Sequence, residues 1–165
     1  MRREVAQIVD VKQRRENRAQ EALRQCRLAL EAAARRAGQA RAELEDYARR
    51  RPAEEARLWD ALEGRGLVRV DDIDELKAEV GLLRGKEHLL AERADEAERA
   101  RVAAHRAERD AQAVLDAALK ARQKFEDLSE VLDAEWRQEL ERREELELEE
   151  LAGMRGVADI EERLA

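Results

Sequence analysis

Few residues in this sequence are equipped for covalent chemistry. It holds one cysteine (Cys26), one serine (Ser129), two histidines (His88 and His105) and no threonine. A thiol beside an imidazole is the main nucleophilic pairing on offer. An activated pair also needs a third group to orient the base and donors for a developing oxyanion. Neither is evident near Cys26 or His105, so Cys26 reads as a small side chain filling an apolar stripe and His88 as a half-exposed surface residue. One cysteine makes no internal disulfide, and with two histidines it does not assemble a metal cluster. There is no glycine-rich phosphate loop and no carboxylate pair in a pocket, so neither catalysis nor a cofactor is expected. The arginine-rich runs, such as "RRRP" at 49–52, offer charge to phosphates. Stacking aromatics are missing and acidic residues interleave, so these runs read as solvated helix faces and nucleic acid is not an expected partner. The acidic run "ELERREELELEE" at 139–150 reads as a solvated face or a surface for a basic partner.

The elements that carry these residues follow from composition. Ala, Glu, Lys, Leu and Arg supply 113 of the 165 residues, well past the roughly 50% that marks long helices and coiled coils. Leu, Ile, Val and Phe supply 35, close to the roughly 20% level below which charged chains stay unfolded. A thick core is therefore out of reach. No apolar stretch approaches the roughly 18 residues that span a bilayer, and "MRREVAQIVD" lacks a secretory apolar run, so a cytoplasmic protein without direct membrane insertion is expected.

Hydrophobic period then defines two helices. Leu23, Cys26, Leu30, Ala33, Ala37, Ala40, Leu44 and Tyr47 alternate by three and four, a heptad seam that extends to Leu58 and Ala61 and back to Val9 and Val5, with polar interruptions at Lys12 and Glu16. This predicts helix one over 1–63. Gly64 and Gly66 end it, the turn covers 64–71, and Asp71 or Asp72 caps the next helix. Helix two, over 72–151, carries Ile73, Leu76, Val80, Leu83, Glu87 and Leu90. After a three-residue slip near 94–97 an all-apolar track resumes through Ala100, Ala107, Val114 and Leu128 to Leu132. The two glycines of "AGMRGVADIEERLA" predict a flexible tail over 152–165.

Two long helices joined by a short turn bury both stripes only by folding back, so the fold class is all-α, a long antiparallel two-helix coiled-coil hairpin. With the turn centred near Leu67, facing residue numbers should sum to about 134, giving a rod on the order of 90 Å. Pro52 removes a backbone donor and predicts a bend, with Gly81 and Gly85 at the same height. Helix two should overhang helix one beyond residue 132. Residues 1–51 carry a net charge of +6 and residues 126–165 a net −10, which suits antiparallel pairing and selects register more than it stabilises.

Four stretches bear a likeness to a known family: "VKQRRENRAQEALR" at 11–24, "EEARLWDAL" at 54–62, "ELKAEVGLLRGKEHLL" at 75–90, and "ARQKFEDLSEVL" with "ELERREELELEE" at 121–150. In order and chain length the sequence resembles the YscO or SctO stalk proteins of bacterial type III secretion, relatives of the flagellar export protein FliJ. Pro52 departs from that pattern. The resemblance implies a non-catalytic central stalk or escort, cytoplasmic and peripheral at the inner-membrane secretion apparatus, and monomeric. It would link the hexameric secretion ATPase to the cytosolic ring of the export gate and contact secretion chaperones. On this reading Val5, Ile8, Val9, Trp136 and Leu140 engage the ATPase, and Leu62, Leu67, Val68 and Val70 at the tip face the gate. The rival is a generic cytoplasmic coiled-coil scaffold or adaptor, a homo-oligomer with its stripes paired between chains.

Overall fold

The computed structural model describes residues 1–165. Two helices make up nearly the whole chain, α1 over Arg2–Glu63 and α2 over Val70–Leu164, packed as an all-α helical hairpin. The chain divides into two compact units, one of Gln20–Ala113 and one of Met1–Ala19 with Val114–Ala165.

The reversal lies in the first unit. The Gly64 amide donates to the Asp60 carbonyl at 3.0 Å, closing the last turn of α1. Gly66 adopts φ +79°, a backbone state that side chains with a Cβ resist. The α2 cap differs from expectation. Asp72 does not offer its oxygen forward; it reaches back to accept from the Arg69 amide at 3.0 Å, the return half of a capping box. Asp71 and Asp72 both sit in the first turn, where negative charge opposes the helix dipole.

All eight predicted α1 seam positions from Leu23 to Tyr47 are buried or half-buried. On α2 the expected slip is absent. Leu76, Val80, Leu83, Glu87, Leu90, Ala94, Ala97, Arg101, Ala104, Glu108 and Ala111 keep unbroken heptad spacing and are all at least half-buried. Ala100 and Ala107 of the apolar track face solvent. In the other unit Leu115 and Arg122 continue the buried face, while Val114 and Leu128 are exposed. A regular supercoil keeps the same face towards its partner only at a constant 3.5-residue repeat. Charged seam positions are accepted because each finds a counter-charge.

Those counter-charges also report the register. In the Gln20–Ala113 unit, Tyr47 bonds to Leu83, Arg27 pairs with Glu108, and Arg84 with Glu55, so facing numbers sum to between 130 and 139. In the other unit Arg2 pairs with Asp133, and Arg122 with Glu16, giving 135 and 138. The first range brackets the expected 134, the second lies one to four residues above it, and both agree with it to within about one helical turn.

Two seam layers are built alike. Arg51 bridges Glu87 across the seam and Glu55 one turn along its own helix. Arg122 bridges Glu16 across the seam and Glu126 one turn along. Glu16 is only 5% exposed, and a carboxylate enclosed in this way is held by such pairing. Polar seam layers fix register because any slide strands a charge.

Glu55 takes hydrogen bonds from Arg84 and Arg51, which hold its carboxyl below the ordinary value of 4.5. A group with a lowered folded pKa contributes stability that is present above its unfolded value and is lost as pH falls through the folded one. Urea unfolding at neutral pH and at about pH 3 should therefore show an acid loss of stability that is smaller in Glu55→Gln. An equal loss in both proteins would remove Glu55 from the acid response.

Beyond residue 151 the expected flexible tail is instead helical, since α2 runs to Leu164. Gly153 and Gly156 each cost about 1 kcal/mol of helix propensity. Extending an existing helix avoids the nucleation penalty, and the Glu, Leu, Arg and Ala around them are good helix formers. Pro52 likewise lies inside an uninterrupted α1. Its ring is exposed and does not crowd the seam. Gly81 and Gly85 have open space where a Cβ would stand, so no close approach explains them.

Candidate interaction surfaces

The Met1–Ala19 and Val114–Ala165 unit contains one group of predicted contact residues. Arg2 places its guanidinium 4.4 Å from the centre of the Trp136 ring and its Nε 2.6 Å from Asp133 Oδ1. This clasp holds the indole while leaving Trp136 49% exposed. Cation–π contact of this kind restricts the ring without covering its other face. Ile8 and Leu140 are also exposed, and Val9 is half-buried. Val5 is 6% exposed; it packs in the seam beneath this surface and presents little of itself. Lys12, one of the polar seam interruptions, lies 5.2 Å from the Phe125 ring.

The turn holds the second group. Leu67 is 93% exposed, and Val68 and Val70 stand in solvent. Leu62 is 8% exposed and closes the last apolar layer. Three exposed aliphatic residues within four positions, two on the turn and one opening α2, are costly in water, which is why such clusters mark contact sites.

One neighbouring feature escaped the sequence reading. Leu82 is 75% exposed, and it forms a shallow groove with Leu58, Leu83, Glu54, Arg57 and Glu79. The available signal was the paired leucines at 82–83 and 89–90. Successive residues on a helix are about 100° apart, so only one of each pair enters a narrow seam, and Leu82 and Leu89 are left outside.

The residues singled out for chemistry are not assembled into a site. Cys26 is half-buried in the seam, whereas His105 is exposed and off it. His88 pairs with Glu92 at 3.2 Å when protonated. Tyr47, the one buried phenol with a defined partner, donates to the Leu83 carbonyl at 3.0 Å. Burial pushes its pKa up, which keeps it a neutral structural donor.

The type III secretion protein YscO family matches residues 5–153. The chain belongs to the YscO family. Among solved structures, it is similar to the type III secretion protein YscO of Vibrio parahaemolyticus. The two are 26% identical, with a TM-score of 0.84, over 90% of this chain and 93% of that one. No curated protein sequence matches it. As a YscO-family chain it has a role in type III secretion, which implies partners within the secretion apparatus. No helix is long and apolar enough to cross a membrane.

Proposed function

We propose that this chain is the non-catalytic central stalk of a type III export apparatus, coupling the hexameric export ATPase to the cytosolic ring of the export gate. It would work in the cytoplasm, peripheral to the inner membrane, as a monomer, and contact secretion chaperones. The observation that carries the reading is Trp136, clasped by Arg2 yet half open to solvent. A preoriented, exposed indole is the usual anchor of an interface hot spot. With Ile8, Val9 and Leu140 it forms the surface assigned to the ATPase, Val5 supporting it from the seam. Leu67, Val68 and Val70 form the surface assigned to the gate, with Leu62 beneath.

The test is the double substitution Trp136→Ala/Leu140→Ala. Both side chains are exposed, so the melting temperature should barely change. Stimulation of the cognate ATPase should fall, with the half-effective concentration of stalk rising by about tenfold or more. Stimulation that survives intact would move the ATPase contact away from these residues.

A further inference from the structure

Every residue of α2 from Ala134 to Leu164 is exposed. Within this stretch Leu146, Glu150, Gly153, Val157, Ile160 and Leu164 recur at alternating intervals of four and three residues, the spacing of a heptad seam. Leu146, Val157 and Ile160 are each more than half exposed. At Gly153 a Cβ would meet nothing within 4 Å. The missing side chain leaves a shallow groove floored by Met154, Val157 and Ala158, with Glu150 and Glu161 at its ends. This is a complete helix-pairing face without a helix on it.

We propose that this face docks a basic amphipathic helix from another protein. The charge pattern selects that occupant. In the heptad frame of the seam the flanking positions include Glu147, Glu149 and Glu161 against a single Arg163, and Glu150 lies in the seam itself. Flanking charges set partner choice between paired helices. The matching helix therefore carries lysine or arginine along its edges, one basic residue opposite Glu150, and a bulky apolar side chain that enters the notch at Gly153. A second copy of this chain is a poor occupant. Antiparallel pairing of two such seams brings Glu147 towards Glu161 and encloses Glu150 without a counter-charge, the costly way to bury a carboxylate. The inference does not depend on what binds Trp136 and Leu140, because the seam begins beyond them.

The test titrates the full chain into two labelled synthetic helical peptides of about three heptads. Both have leucine at the seam positions; one has lysine at the flanks and the other glutamate. Fluorescence anisotropy should show the lysine peptide binding at least about tenfold tighter than the glutamate peptide. Val157→Ser/Ile160→Ser should weaken the lysine peptide by about tenfold while leaving the melting temperature of the hairpin in place. Glu147→Lys/Glu150→Lys/Glu161→Lys should reverse the preference. Three results would overturn the proposal: equal binding of both peptides, lysine-peptide binding untouched by the serine pair, which marks charge adhesion alone, or a concentration-dependent dimer in sedimentation that the serine pair dissolves.

Discussion

Replacing Tyr47 by alanine should lower the unfolding free energy by about 3 kcal/mol, the low end of the range for removing a buried aromatic. Tyr47 is 5% exposed and lies in the seam between Leu44 and the charged layer of Arg51, so the ring supplies much of the apolar area buried at its height. Lys86 covers the ring with its ammonium 4.9 Å from the centre, and the hydroxyl ties α1 to the Leu83 carbonyl of α2. Tyr47→Phe keeps the ring and loses only the hydrogen bond, an effect of about 1 kcal/mol. Urea unfolding followed by far-ultraviolet circular dichroism separates the two. An alanine variant that loses no more than Leu28→Ala, a truncation on the exposed side of α1, would show that the tyrosine is not a keystone of this unit.

Pro52→Ala should act in the opposite direction and raise the unfolding free energy by roughly 2 kcal/mol. A proline in a helix interior costs about 3 kcal/mol through its missing donor and ring clash. About 1 kcal/mol of that is offset because proline also restricts the unfolded chain. The ring points to solvent, so alanine adds no crowding in the seam. Arg51, the residue before it, bridges Glu55 and Glu87, and this layer should hold the register in both proteins. The same urea measurement decides it. A Pro52→Ala variant no more stable than the parent would mean that the proline conformation is already relieved within α1.

Which apolar residues stay exposed near the turn and late in α2 was largely legible, because it depends on which residues are left over from the seams. Leu67 and Val68 fall in a turn fixed by Gly64 and Gly66, Val70 opens α2, and Trp136 and Leu140 follow the last half-buried residues of α2. The misses have physical causes. Following apolar residues along α2 beyond Leu90 suggested a slip, because sequence period alone does not reveal that Glu108 meets Arg27 or that Arg122 meets Glu16. Charges qualify as seam residues only once a partner stands opposite. Val5 and Leu62 were grouped with contact residues beside them in sequence, yet both close seam layers. The tail after 151 read as loose because its two glycines weigh heavily in isolation, whereas a helix already running needs only a small gain per residue to continue.

The sequence by itself determined two heptad-bearing helices, a glycine turn, antiparallel return and a register correct to about a turn, because each follows from local period and chain reversal. Tertiary structure alone decided which charges are enclosed and that Arg2 holds Trp136 half open. These depend on what the opposite helix presents at the same height, and that is a property of the pair of helices, fixed only when both are in place.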